Sequence, residues 1–298
     1  QVQGGTFAAR LHVSADGTAI QSVETRSLAN GETALIADVD AVVLAVGAKG
    51  MGSLMAKSPE CAALAPELVR AGRMEAIDVV SVRLWLDRRV DVADPANVFS
   101  RFAALQGAGA TFFMLDQLQR ETEQALWGDQ PVQGSVIASD FYNASAIAAL
   151  SDQAIVDALM QELLPMAQPA FRGARVVDQE GRRYPGSVSL FSPGSFRQRP
   201  PLETSLPTVV CAGDWVRMGE REFGAKGLCQ ERAYVCGLEA ANSLLQRGIV
   251  QGAGPAASQP HPVLPIRADE PQVLLGRALN RLVMDPLDAI GVRWPWLR

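Results

Sequence analysis

Pro207-Thr208-Val209-Val210-Cys211-Ala212-Gly213-Asp214-Trp215 is the stretch with the most chemical content. An apolar run ending in Gly-Asp puts a carboxylate at the end of a buried strand, where ligands cross the carboxyl edge of a sheet. The glycine there lets a ligand approach the backbone closely. Such a carboxylate pairs with a hydroxyl. After an intervening loop, Gln230-Glu231-Arg232-Ala233-Tyr234-Val235-Cys236-Gly237-Leu238-Glu239-Ala240-Ala241-Asn242 opens a helix. Its free N–H groups and partial positive charge suit a phosphate or an electron-rich ring. The same arrangement also suits an ordinary βα unit whose Asp caps a turn.

A second place with chemical potential is Val42 to Gly52 (VVLAVGAKGMG), a strand running into GxxGxG. The fingerprint that grips a dinucleotide pyrophosphate is GxGxxG directly after the first strand of a βαβ unit, and here the glycine order differs and meander sequence precedes it. A nicotinamide site on Gly47 to Gly52 is a rival reading, and it would need an acidic residue closing a second strand. Cys61, Cys211, Cys229 and Cys236 show no CxxC spacing, and His12 and His261 are the two histidines, so no metal site is expected. Asp87-Arg88-Arg89 reads as a solvated strand end, and Trp85, Trp127, Phe112 and Phe113 as core aromatics that would also serve an apolar tunnel. Trp294-Pro295-Trp296 suits either a membrane interface or packing onto the globule.

Positioning these residues requires a framework. Phe7 to Val13 and Ala19 to Thr25 read as strands joined at Ser14-Ala15-Asp16-Gly17, and Thr33 to Asp38 follow a turn at Asn30-Gly31. Ala41 to Val46 is a continuous apolar run, as expected of a strand buried on both faces inside a parallel sheet. Residues 49–72 read as helix broken at Pro59 and Pro66. Ile77 to Asp87, Phe112 to Leu115 and Val136 to Phe141 read as strands, and Ser151 caps a helix with Ile155, Val156, Leu159, Met160, Leu163 and Leu164 at helical spacing. Gly181 to Pro207 is rich in Pro, Gly, Ser and Arg and reads as a long ordered loop or crossing connection. Gln230 to Arg247 is a helix with Ala233, Val235, Leu238, Ala241, Leu244 and Leu245 on its apolar side; residues 251–265 form a linker, and Val273 to Leu282 a last amphipathic helix.

Bulk properties bound the reading. Hydrophobic residues at 48% and charged residues at 20% describe a folded globule. A net charge of −5 gives no positive field to collect nucleic acid. No run approaches the ~20 apolar residues that span a bilayer, and the start (QVQGGTFAAR) has no signal-peptide pattern, so secretion is not expected. The chain opens in strand-like sequence without an initiator Met, which reads as a fragment or a processed chain.

The segment from Pro207 to Ala241 resembles the C-terminal flavin motif of the FAD-dependent amine-oxidase and carotenoid (phytoene, zeta-carotene) desaturase superfamily. There, a strand ending in Ala-Gly-Asp/Glu leads to a helix reading Glu-Gly-Ala-x-x-Ser-Gly-x-x-Ala-Ala. Here the helix reads Glu231-Arg232-Ala233-Tyr234-Val235-Cys236-Gly237-Leu238-Glu239-Ala240-Ala241, with Arg232 in place of Gly and Cys236 in place of Ser. Val82 to Arg89 (VRLWLDRR) is similar to a tryptophan, Asp-Arg strand of the desaturases, and Ser192-Pro193-Gly194 through Arg199-Pro200 to their approach to the last flavin strand. Residues 224–233 (GAKGLCQERA) look closer to the enzymes that modify cyclic carotenoids.

The resemblance covers about residues 15–247 and implies an α/β (α+β) fold: an incomplete FAD/NAD(P)-binding Rossmann-like domain with an inserted mixed-sheet substrate domain. Residues 1–56 and 206–250 would belong to the FAD-binding domain, 57–205 to the substrate-binding domain and 251–298 to a linker and C-terminal helix. It further implies FAD as cofactor, held by Ala45, Val46 and Gly47 near the adenine end and by Gly213, Asp214, Trp215, Glu231, Arg232 and Ala233, with Arg88 and Arg199 on the substrate side. No residue is singled out as catalytic. The implied function is dehydrogenation of an apolar polyene or isoprenoid by hydride transfer to flavin. The family's N-terminal GxGxxG is not found in this sequence, so a complementing N-terminal segment is expected. The alternative is a non-catalytic fragment or one subunit of a split flavoenzyme. An apolar substrate implies peripheral membrane contact, in a cytoplasmic or plastid setting.

Overall fold

The computed structural model describes residues 2–99, 102–219, 229–250, 259–264 and 268–290. Gly224 to Leu228, most of the 251–265 linker and Trp294-Pro295-Trp296 lie outside the described residues. Two compact units form: residues 1–75 with 189–298, and residues 76–188.

The first unit opens with strands β1 (Thr6–Val13), β2 (Ile20–Ser27) and β3 (Thr33–Ile36), an antiparallel meander in that order. The β1–β2 turn is set by Asp16, whose Oδ1 accepts from Ser14 Oγ at 2.6 Å and Thr18 N at 3.1 Å, while Gly17 takes φ +72°. Strand β4 (Val42–Leu44) leads into helices α1 (Ala48–Lys57), α2 (Pro59–Leu64) and α3 (Pro66–Ala71). Pro59 and Pro66 each open a helix, where a missing N–H costs nothing. Gly52 lies against the end of α3: a Cβ there would stand 2.7 Å from the Gly72 carbonyl oxygen. Gly52 therefore serves close backbone packing within this unit, and Gly50 lies inside α1.

The second unit contains β5 (Ala76–Leu86), β6 (Ala96–Phe99), β7 (Gly109–Met114), α4 (Leu115–Leu118), α5 (Glu123–Trp127), β8 (Val136–Tyr142) and α6 (Ser145–Ala148). Helix α7 (Asp152–Ala158) follows, capped by Ser151 Oγ, which accepts from Ala154 N at 3.2 Å. It runs through a π-wound stretch, Leu159–Leu163, into α8 (Leu164–Ala167), and β9 (Val176–Ser189) closes the unit. The sheet order is β6-β7-β8-β5-β9. Alternation on β5 sends Val80, Val82, Leu84 and Leu86 into the core with Phe112, Phe141, Phe171 and the α7–α8 leucines. Phe112 meets Phe171 edge to face at 5.9 Å, and burying each such ring stabilises by about 2–3 kcal/mol.

The chain returns to the first unit with β10 (Val209–Cys211), α9 (Gln230–Gln246) and α10 (Pro271–Ala289). Strand β10 pairs parallel with β4, Val209 beside Val42 and Cys211 beside Leu44. The expected divisions at 56/57 and 205/206 both fall inside this unit. One tie across that span is buried Glu67 of α3, whose carboxylate accepts from Ser205 N at 2.6 Å and Ser205 Oγ at 3.1 Å.

Mixed sheets and helices make the fold class α/β (α+β), as expected. Several local expectations change. Gly181 to Ser189 is strand, because an edge strand tolerates Pro185, which has no N–H to donate. The β4 run is parallel-paired, but Val43 is 46% exposed, since β10 is its one strand partner among the described residues. On α9 the buried side is Arg232, Cys236, Ala240, Asn242, Ser243 and Leu244, so the interior there accepts polar atoms that an apolar pattern does not mark. The last helix runs on past Leu282 through Pro286, whose missing N–H removes one helical bond without ending the helix.

Candidate functional site

The parallel β4–β10 pair brings its two carboxyl ends to one edge. The ladder continues one step past β10, with Ala212 N donating to Leu44 O at 3.1 Å. Ala45, Val46 and Gly47 therefore leave the sheet beside Gly213, Asp214 and Trp215. Ala45 and Gly47 are exposed and Val46 half-buried, and Gly47 stands at the N-cap of α1.

Gly213 takes φ +128°, a conformation side chains rarely adopt, and a Cβ there would lie 3.1 and 3.3 Å from the Trp215 indole. Trp215 is buried in the unit's apolar cluster and forms the wall beneath the glycine. Asp214 is half-buried at the sheet edge. Burial pushes its carboxyl above the ordinary carboxylate range, against the pull of backbone N–H groups and of the Arg232 and Arg199 guanidiniums. Among the described residues no side chain donates a hydrogen bond to it.

Two arginines grip the main chain of this turn. Arg232, in the first turn of α9, is buried and donates from Nε to Asp214 O at 2.6 Å and from Nη2 to Val216 O at 2.9 Å. Arg199 is also buried and donates from Nε to Trp215 O at 2.6 Å and from Nη2 to Val216 O at 2.8 Å. The rings of Phe191 and Phe196 lie 4.8 and 5.3 Å from the Arg199 guanidinium carbon. Three consecutive carbonyls thus each receive a charged N–H, fixing the turn and placing two positive charges behind it. Cys229 Sγ caps α9 by accepting from Arg232 N at 3.4 Å; Glu231 is exposed and Ala233 half-buried on the same turn.

The residues expected at the cofactor are thus gathered at one sheet edge in the first unit. Arg199, expected on the substrate side, sits under the same turn. Arg88 lies in the other unit, exposed, with its Nε 3.4 Å from Asp87 Oδ1. The convergence of Arg199 and Arg232 on one turn escaped sequence reasoning, because no spacing relates residues so far apart.

The second unit contributes a feature the sequence reading also missed. Ser81, Asp140 and Thr111 stand side by side across β5, β8 and β7, on the sheet face opposite the core. Ser81 Oγ donates to Asp140 Oδ1, and a 370 Å³ cavity there is lined by Ser81, Arg83, Asp140, Glu180, Arg182 and Tyr184. Trp85, on the same face, donates from Nε1 to Leu126 O at 2.8 Å.

Residues 1–248 match the model of the flavin containing amine oxidoreductase family, and the chain belongs to that family. It is 32% identical over 215 residues to the carotenoid phi-ring synthase of Streptomyces griseus, a match covering 72% of this chain and 38% of the relative. The chain therefore spans well under two thirds of that relative's length. Among solved structures, reduced UDP-galactopyranose mutase matches at TM-score 0.49 and 10% identity, covering 83% of this chain and 46% of the other. Cyclohexylamine oxidase from Brevibacterium oxydans IH-35A matches at TM-score 0.41 and 14% identity, covering 70% and 42%. At these scores the solved structures add nothing to the assignment, which rests on the family match and the relative.

Proposed function

We propose that this chain carries one half of the FAD site of an oxidoreductase that dehydrogenates an apolar polyene or isoprenoid. The observation behind this reading is the Gly213-Asp214-Trp215 turn, set at the carboxyl edge of a parallel pair beside Ala45 to Gly47 and clamped by two arginines within the family-matched residues. Fit is supported by Gly213, whose φ of +128° and contact with the Trp215 indole leave no room for a side chain in the turn, and by an Asp214 carboxylate without a side-chain donor among the described residues.

FAD when bound would supply the hydride acceptor. In this reading Asp214 bonds the ribityl or pyrophosphate region, accepting from a ribityl hydroxyl, Gly213 allows close approach, and Ala233 with its neighbours presents the α9 N-terminus. Arg232 and Arg199 hold the turn and favour electron-rich groups in front of it. The unit of residues 1–75 with 189–298 would serve the cofactor and the unit of residues 76–188 the substrate. The relative named for carotenoid ring synthesis supports an isoprenoid substrate, and such a substrate brings the protein to a membrane surface in a cytoplasmic or plastid setting. Among the described residues no helix is long and apolar enough to cross a membrane.

A second reading, one part of a split or non-catalytic flavoprotein, is favoured by the use of Gly52 in packing against Gly72, which leaves Gly47 to Gly52 no role as a pyrophosphate loop. The absorption spectrum after desalting with FAD separates the two. Flavin bands near ~370 and ~450 nm retained by the chain alone support the first reading. Colour appearing only with an added N-terminal βαβ segment supports the split form, and none in either case the non-catalytic form.

A further inference from the structure

In the second unit, the sheet face turned away from the core is polar at its centre. Ser81 Oγ donates to Asp140 Oδ1, and among the described residues it is the one hydrogen-bond donor to that half-buried carboxylate, so Oδ2 keeps its capacity. Thr111, opposite Asp140 on β7, has its Oγ1 buried without a hydrogen-bond partner among the described residues. Spare capacity at a half-buried place favours a polar guest.

The charges around the 370 Å³ cavity select that guest. Arg83 and Arg182 line it together with Asp140 and Glu180. Arg182 is paired with Glu180, whereas Arg83 makes no ion pair among the described residues and lies over the Trp85 ring, 5.9 Å from its centroid. Arg83 faces Ala138, two residues from Asp140 on the same side of β8, a diagonal that a long side chain spans. An ammonium bound at Asp140 would stand beside two guanidiniums, and a carboxylate bound at Arg83 beside two carboxylates, so each meets repulsion with its attraction. A hydroxyl escapes both: it donates to Asp140 Oδ2 and accepts from Arg83.

One step further along the strands the face becomes apolar. Phe113 and Ala138 are cross-strand partners there, and Trp85 follows beside Val136, its indole N–H held by Leu126 O at 2.8 Å. Phe113, Ala138 and Trp85 are all half-buried, which leaves part of each for a ligand. A polar row beside an apolar strip fits a molecule with one polar end.

We propose that this face binds an isoprenoid alcohol, with its hydroxyl on Asp140 and Arg83 and its chain along Ala138, Phe113 and Trp85. Resting on the isoprenoid substrate of the proposed function, this site adds a hydroxyl to that substrate, and it needs no bound flavin.

The test is equilibrium dialysis of the purified chain against farnesol and against farnesene, a hydrocarbon of matching length. Farnesol is held about tenfold more tightly, as expected for a hydrogen bond to a charged group. Farnesylamine and farnesoic acid bind less tightly than the alcohol. Asp140→Ala, with circular dichroism unchanged, brings farnesol down to the level of farnesene and leaves farnesene as it was. Arg83→Met, at an exposed position and so compatible with folding, weakens farnesol about threefold and tests the site should the Asp140 variant fail to fold. Equal binding of alcohol and hydrocarbon overturns the proposal and leaves the isoprenoid reading, whereas binding of neither removes both. Tighter binding of the amine or the acid, or a folded variant of either residue that keeps the full preference, also overturns it. Flavin retention is measured in parallel: a chain that prefers the alcohol but never retains flavin keeps this proposal and removes the flavin reading, and one that retains flavin without the preference does the reverse.

Discussion

Asp116 in the second unit and Asp214 in the first share one property: burial pushes both carboxyls above the ordinary carboxylate range. Their partners differ. Asp116 has no exposed surface, and its oxygens are engaged by Val136 N at 3.0 Å and Ser135 Oγ at 3.0 Å, with Arg89 Nη1 at 3.5 Å. Asp214 is half-buried at a strand end and receives no side-chain donor among the described residues. The direction of a shift reports burial, whereas the remaining hydrogen-bonding capacity separates a carboxylate that ties a fold together from one that, in the proposed function, bonds the cofactor.

The contrast breaks most readily by truncation. Asp116→Ala leaves the Val136 N–H buried without its acceptor and should cost about 3 kcal/mol in chemical denaturation. Asp214→Ala should change stability by less than about 1 kcal/mol and lower flavin retention about tenfold, as expected for one lost charge-assisted bond. Equal unfolding costs at the two sites would erase the distinction. The pH dependence sharpens it. A carboxyl whose folded value is raised holds its proton more tightly in the folded state, so stability falls as pH rises from its ordinary value of 3.8 towards the folded one. Asp214→Asn removes that loss, and its denaturation midpoint should gain on the parent's across this window.

Gly213→Ala should cost about 1–3 kcal/mol, at most what Asp116→Ala costs, since the new Cβ meets the indole at 3.1 Å on a backbone with φ +128°. Thermal melts with and without FAD would read it, and an unchanged melting temperature would show that the turn relaxes freely. Arg232→Gly, which restores the residue of the resembled motif, removes the donors to Asp214 O and Val216 O; Val216 O keeps Arg199. A loss of about 1–2 kcal/mol follows, with Arg232→Lys recovering the charge but not the two-pronged grip. Matching melting temperatures for Lys and wild type would show that charge alone holds the turn.

Much of this site was legible from sequence because its parts are local. An apolar run ending in Gly-Asp, and proline at the first position of α2 and α3, are marked by neighbours in the chain. The buried grip of Arg199 and Arg232 was not legible, since arginines default to the surface and their target is a set of carbonyls without sequence identity. Strand β9 was obscured for a related reason. Its residues are mostly exposed, so the alternation that betrays a half-buried strand is weak, and Pro185 and Gly186 imitate a loop. Helix α9 shows the same limit: Arg232, Asn242 and Ser243 are buried on a face that apolar spacing does not pick out.

The smallest effect concerns Asp87, which is lowered to about 2 where Asp116 and Asp214 are raised. The cause is Arg175: its backbone N–H donates to Oδ1 at 2.9 Å and its Nε to Oδ2 at 2.9 Å, and both bonds favour the charged form. A depressed folded value contributes stability above the ordinary 3.8, and that contribution disappears as pH falls towards about 2. Arg175→Ala removes the guanidinium and keeps the backbone donor, so the Asp87 carboxyl should move only part of the way back when titrated by carbon NMR. A full return to the ordinary value would assign the whole shift to the side chain and remove the backbone N–H as a cause. Because Arg175 is largely exposed, the accompanying change in stability should be small and should shrink further in salt.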